Sequence, residues 1–302
     1  MNTSLCPFFH ASKTLSQERI FLRTHIVQVN NQAIAVHESE GSGPPIVLVH
    51  GNSSSGLTFS RQLFSPLGSD HHLVAIDLPG HGESDRAQEP GTGYSVPGYA
   101  KTLVAVCEQL GLNDAVFVGW SLGGHVVLEA SALLPRAAGF MIFGTPPIGF
   151  PPDMAGAFFP HPAMAAAFKP NLSEAEIEAF VAAFFKPGSP ASAEAFKADV
   201  RRADGNARLA LAASIQSGGY EDELAILAGL TVPLAILHGE QEQLVSGAYL
   251  NALVAPTLWR SEVQTVADAG HALHWEKRFK FNALLDVFAH HCQRRAAAAR
   301  NN

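Results

Sequence analysis

Gly119-Trp120-Ser121-Leu122-Gly123 sets a serine between two glycines, directly after an apolar run and directly before a helical pattern. A serine on such a strand-to-helix turn is held with its hydroxyl projecting from the sheet edge. Glycines at both ends let strand and helix close together without colliding side chains. The chemistry that suits this placement is nucleophilic attack on a carbonyl carbon. The pentapeptide alone also occurs in ordinary glycine-rich turns, so its weight comes from the flanking strand and helix.

A neutral serine is a poor nucleophile and needs a base, itself oriented by a third group. Fourteen histidines compete for that role. His271, in Ala269-Gly270-His271, lies just past the last strand-like run and before the last helix, on a loop at the sheet edge. His274, three residues on, is the second candidate. His50 and His238 end strands and are expected to satisfy backbone groups there, while His71-His72 and His290-His291 read as surface pairs. No H-E-x-x-H or H-x-H-x-D-H spacing occurs, so no metal site is expected. The acid belongs between serine and histidine in chain order. Gly239-Glu240-Gln241-Glu242-Gln243 offers two carboxylates. Glu242 is the first choice and Glu240 the alternative, the plain reading being that both are solvated loop charges. Asp153 is a more remote substitute.

Acyl transfer also needs donors for the developing oxyanion. His50-Gly51-Asn52-Ser53-Ser54-Ser55-Gly56 follows an apolar run, and the backbone N–H groups of Asn52 and Leu122 are the expected pair. The same stretch also serves as a polar turn before a helix, and the two uses coexist. Asp77–Ser84 reads as a structured turn, part of the architecture rather than the chemistry.

The elements that must position these residues follow from the apolar pattern. His25–Val29 and Ala33–Glu38 flank Asn30-Asn31-Gln32, a hairpin signal. Ile46–His50, Leu73–Asp77, Val116–Gly119, Phe140–Gly144, Leu234–His238 and Val263–Val266 come next, and the later runs have the character of strands buried on both faces. Helices are expected over Leu57–Leu67, Pro97–Leu110, Ser121–Leu134, Ser246–Leu253 and Glu276–Arg294. This alternation predicts an α/β fold: eight strands, mostly parallel, flanked by helices. Residues 146–218 break the rhythm with Ala, Phe and Pro, and predict a helical cap inserted into a core of 22–145 and 219–295. Ser173, followed by Glu174 and Glu176, is an N-cap signal inside it. Residues 1–21 form an N-terminal extension.

A chain of 302 residues suits one large core with an insertion. The net charge of -7, with no dense Lys/Arg run, argues against nucleic acid as a partner. No apolar run reaches the roughly 18 residues of a membrane span. Cys6, Cys107 and Cys292 form neither a disulfide framework nor a C-x-x-C pair. With no secretory signal pattern at the N-terminus, a cytoplasmic location is expected. Oligomeric state is not legible.

Together, these segments resemble the α/β-hydrolase superfamily from about Arg23 to Arg294. The resemblance rests on the His50-Gly51 turn, the Asp77–Ser84 turn, the Ser121 elbow and the Gly270-His271 loop, in the family's order. In that fold the acid usually stands three residues past the glycine that ends its strand, which favours Glu242 over Glu240. A serine rather than an aspartate at the elbow sets aside the dehalogenase and epoxide-hydrolase branches. HGNSSSG at His50–Gly56, DLPGHG at Asp77–Gly82, Tyr94-Ser95 with Gly98-Tyr99-Ala100, GWSLGGH at Gly119–His125 and GTPP at Gly144–Pro147 resemble the metal-independent N-acyl-homoserine lactonases of this fold. The glutamate acid fits that branch too. The resemblance implies a small apolar ester or lactone as substrate and no cofactor. Gly51, Trp120, Phe180 and Phe184 are the expected substrate contacts, with Phe158, Phe159, Phe168 and Phe185 as further linings of an acyl-chain channel. For any one of these phenylalanines, ordinary helix packing is the competing use. A general carboxylesterase, or a ligand receptor of the same fold, shares every one of these catalytic residues.

Overall fold

The computed structural model describes residues 22–191 and 193–300; the 1–21 extension, with Cys6, lies outside them. Eight strands form one sheet: β1 (Leu22–Val29), β2 (Gln32–Ser39), β3 (Pro45–Val49), β4 (His72–Ile76), β5 (Val116–Trp120), β6 (Gly139–Phe143), β7 (Leu234–Gly239) and β8 (Gln264–Val266). Their spatial order is β1-β2-β4-β3-β5-β6-β7-β8. The first two pairings, β1 with β2 and β2 with β4, are antiparallel, and β4 through β8 are parallel.

Local chemistry explains the elements. Val29 pairs with Gln32 across a two-residue turn, and Asn30 and Asn31 both take positive φ, 52° and 59°. Such a turn matches the twist of the strands it joins, and Asn tolerates the left-handed region. β1, at the sheet edge, alternates between exposed and covered residues, whereas β5, β6 and β7 are buried along their whole length. Their residues are mostly apolar, with no alternation between polar and apolar positions, because helices cover both faces of a parallel sheet.

The longer helices are α1 (Val96–Leu110), α2 (Leu122–Glu129), α3 (Glu174–Ala182), α4 (Glu194–Arg202), α5 (Gly205–Gln216), α6 (Glu223–Gly229) and α7 (Arg278–Arg300). The single helix expected over Leu57–Leu67 is broken into a 3₁₀ turn, Gly56–Phe59, and two short helices, Ser60–Leu63 and Pro66–Asp70. Pro66 has no N–H to continue the ladder and holds Ser65 in extended backbone (φ -136°, ψ 169°). Likewise the helix after Ser121 tightens to 3₁₀ over Ala130–Leu133, and the last helix is preceded by a separate turn, Leu273–Glu276.

Residues 146–218, between β6 and β7, carry α3, α4 and α5 and, among the described residues, no strand beyond an isolated bridge of Phe158 to Val245. α3 opens on a capping box: the Ser173 side chain accepts from the Glu176 N–H and the Glu176 carboxylate accepts from the Ser173 N–H. Cys107 and Cys292 are buried free thiols, and no described helix is long and apolar enough to cross a membrane.

Candidate active site

β5 ends at Trp120, and α2 starts at Leu122. Ser121 alone makes the turn, at φ 53°, ψ -120°. A non-glycine residue rarely adopts that backbone, and persists there only when its surroundings impose it. The surroundings are visible: the Ser121 N–H donates to the Phe143 carbonyl at 2.9 Å, and the Ser121 carbonyl accepts from Thr145 Oγ1 at 2.8 Å. Side chains at the flanking glycines would collide with backbone, at Gly119 with the Gly123 carbonyl and at Gly123 with the Val49 carbonyl.

His271 lies on the loop after β8. Its Nδ1 meets Glu242 Oε2 at 2.8 Å, and the two side chains are 3% and 1% exposed. Because the carboxylate only accepts, Nδ1 carries the proton and Nε2 is left with its lone pair. The other oxygen of Glu242 accepts from the Leu244 N–H at 2.9 Å, so the carboxylate is fixed from both sides. Space for the imidazole comes from Gly144: a Cβ there would stand 2.8 Å from His271 Cε1. Trp120 Nε1 donates to the His271 carbonyl at 3.0 Å, linking the loop to the elbow.

The competing residues sit elsewhere. Glu240 is exposed and accepts from the Asp268 N–H at 3.1 Å. Asp153 is exposed and caps the short helix Met154–Ala157. His274 is fully buried among Phe59, Trp120, Phe143 and Phe281, with neither ring nitrogen hydrogen-bonded, and burial pushes its pKa down to about 3. It is a neutral core residue. His50 does satisfy backbone, its Nδ1 on the Gly51 carbonyl at 2.7 Å and its Nε2 accepting from the Leu78 N–H at 3.0 Å. His238 does not, contrary to expectation: its Nδ1 is buried without a partner, above Gly247. Nor is His71 a surface residue; it is buried against Asp286, 2.8 Å away. Asp77 organises the turn that follows it, accepting from the Gly56 N–H at 2.6 Å and the Glu83 N–H at 2.8 Å.

Ser121 and His271 open onto one cavity of about 650 Å³. Gly51, Asn52, Trp120 and Leu122 line its floor, while Phe158, Phe159, Phe168, Phe180 and Phe184 line its walls. Phe185 is not among the lining residues; it packs edge-on against Phe196 at 5.4 Å. Both stand in the turn that follows α3, where successive side chains leave in different directions, and only Phe184 reaches the cavity. The helical segment is tied directly to the loop after β3: Asn52 Nδ2 donates to the Ala167 carbonyl at 2.9 Å, Ser55 Oγ to Asp199 at 2.8 Å, and Arg208 to Ser53 Oγ at 3.1 Å. Leu122, first in α2, has an N–H with no intrahelical acceptor.

A model described as the alpha/beta hydrolase family matches residues 46–284. The chain belongs to the alpha/beta-hydrolase family. Among solved structures, a variant of the N-acyl homoserine lactonase AidH, complexed with N-hexanoyl homoserine, superposes on this hydrolase with a TM-score of 0.86. It is 36% identical, over 90% of this chain and 98% of that one. The pimeloyl-(acyl-carrier protein) methyl ester esterase of Stenotrophomonas maltophilia (strain R551-3) is 30% identical over 244 residues, 78% of this chain and 88% of its own. The AB hydrolase superfamily protein YisY of Bacillus subtilis (strain 168) is 25% identical over 274 residues, 88% of this chain and 98% of its own. Family and relatives together support a hydrolase activity.

Two groups escape sequence reasoning. Glu276 accepts from the Gly270 N–H at 2.7 Å and from Ser189 Oγ at 2.7 Å, holding the His271 loop against the helical segment. A glutamate at a helix start carries no signal of that use. His125 and Glu223, from α2 and α6, also line the cavity. His125 closes the GWSLGGH motif, but its partner lies 98 positions away.

Proposed function

We propose that this hydrolase cleaves a carboxylic ester in a small apolar substrate, and that the ester is the ring of an N-acyl-homoserine lactone. The observation that carries the reading is the His271–Glu242 pair, opening beside Ser121 on an aromatic-lined cavity. The likeness to AidH supports the substrate class. Ser121 Oγ attacks the ring carbonyl carbon while His271 Nε2 takes its proton, and Glu242 holds the imidazolium. The N–H groups of Asn52 and Leu122 stabilise the oxyanion. As the ring C–O bond breaks, His271 returns the proton to the departing ring oxygen, leaving an acyl-enzyme. Water, deprotonated by His271, hydrolyses it and releases the open N-acyl-homoserine. In this reading the helical segment 146–218 acts as a cap that selects the acyl chain without contributing a triad member.

Serine, histidine and glutamate suffice for these steps, so activity is expected to survive thorough chelation. One His/Asp cluster among the described residues, His71, Asp286 and His290, has metal-ligand spacing, and it does not line the cavity. Mass spectrometry of products from a panel of acyl-homoserine lactones tests the proposal. Ring opening adds one water with the acyl chain retained, and acid re-closes the product. Free fatty acid would mean amide cleavage instead. Good turnover of aryl esters with no lactone opened at any chain length would favour a general carboxylesterase.

A further inference from the structure

Two polar features interrupt the apolar cavity walls: His161, whose Nδ1 accepts from the Ala163 N–H at 3.2 Å, and a group of three residues, His125, Tyr220 and Glu223. His125 Nδ1 stands 2.8 and 3.0 Å from the two carboxylate oxygens of Glu223. Glu223 is 1% exposed, and its Oε2 also accepts from the Ile148 N–H at 2.6 Å. The nearby hydroxyl of Tyr220 is buried and has no partner among the described residues. All three residues line the cavity that Ser121 opens onto. The pair repeats the logic of His271 and Glu242: a carboxylate only accepts, so Nδ1 of His125 carries a proton, and in the neutral imidazole Nε2 keeps its lone pair. No described residue hydrogen-bonds that Nε2, which leaves it for a ligand in the cavity.

We infer that His125, held by Glu223, is a polar anchor that accepts a hydrogen bond from an amide N–H on the carbon next to the scissile carbonyl, with the Tyr220 hydroxyl as donor to the amide oxygen. This deepens the proposed function by assigning how the substrate's amide is read. His125 follows Ser121 by four residues, one turn along α2, or about 6 Å of rise. An amide nitrogen on the α-carbon stands two bonds from the scissile carbonyl carbon, about 2.5 Å. Helix side chains lean towards the N-terminus, so the His125 ring leans back towards the turn that carries Ser121, and both line one cavity. An alkyl chain at that position would leave the lone pair of His125 and the hydroxyl of Tyr220 without a partner, which penalises it.

The test does not require lactonase activity. N-hexanoylglycine p-nitrophenyl ester has the α-amide, and p-nitrophenyl nonanoate has a plain chain of similar length. The native protein is expected to favour the amide ester in kcat/KM, and His125→Leu to shrink that preference about five- to tenfold with little change on the nonanoate. Tyr220→Phe and Glu223→Gln should each lose part of the preference. A purely structural pair would lower both substrates together in His125→Leu and leave the ratio intact. An unchanged ratio in His125→Leu, or no amide preference in the native protein, overturns the inference. Failure of the lactone panel with the amide preference intact would overturn the lactonase reading alone.

Discussion

The floor and the wall of the cavity are built on different terms. At the floor, the groups that matter sit on turns at the ends of parallel strands, and each is fixed by hydrogen bonds: Ser121 by Phe143 and Thr145, Glu242 by Leu244, His271 by Glu242. The wall, from the segment between β6 and β7, presents Phe180 and Phe184, which touch each other edge-on at 4.8 Å and are held by packing alone. Hydrogen-bonded turns tolerate almost no change in position, whereas an apolar wall accepts other side chains of similar volume. Under the proposed function, reaction type belongs to the floor and substrate choice to the wall.

Ser121→Ala is the most severe way to break that division. It should fold normally and lose turnover by on the order of 10⁶-fold, because no other group is placed to attack. Near-native rates from a clean preparation would remove Ser121 from the floor's chemistry. Glu242→Gln comes next. It keeps the shape but lets the imidazole take the wrong tautomer, and should lower kcat by about 10³- to 10⁴-fold. Glu240→Gln, on the exposed side of the same loop, should do little. The reverse order of damage would mean that the floor is built around a different carboxylate.

Wall substitutions should act differently in kind. Phe180→Leu is expected to shift the ratio of rates on short and long acyl chains by about tenfold while leaving the reaction the same. Phe185→Leu, outside the cavity, should leave the profile unchanged. If both variants give the native profile, the wall does not select the chain. The smallest effect lies beneath the floor. Burial holds His274 at about 3, against an ordinary value of 6.5. Below about 6.5 the unfolded chain binds a proton that the folded chain refuses, so this group's contribution is whole above 6.5 and falls as pH drops towards 3. His274→Phe should therefore lose less Tm than the native protein between pH 7 and pH 5. Parallel curves would show that His274 titrates alike in both states.

Much of the floor was legible because its residues sit at the junctions of elements with clear periodicity. The G-x-S-x-G turn, the glutamate three residues past Gly239 and the histidine after the last strand are local signals. The histidines that misled were judged by their neighbours in the chain. His71 and His72 look alike in sequence, yet one is buried against Asp286 and the other pairs with Glu38 near the sheet edge. Phe184, an expected substrate contact, and Phe185, a further expected lining, are neighbours in the chain, and only the path of the turn after α3 separated them.

The sequence by itself determined the order of the strands along the chain, the elbow and the candidates for each reacting group, because strand periodicity, turn residues and glycine spacing act over a few positions. The family's spacing favoured Glu242 over Glu240, and the tertiary structure turns Glu242 inward to His271 and leaves Glu240 on the outer side of the same five-residue loop. It also decided that His125 of α2 meets Glu223 of α6 in the cavity wall. That pairing depends on how β6 and β7 carry their connecting helices across the sheet, and no spacing rule spans such a distance.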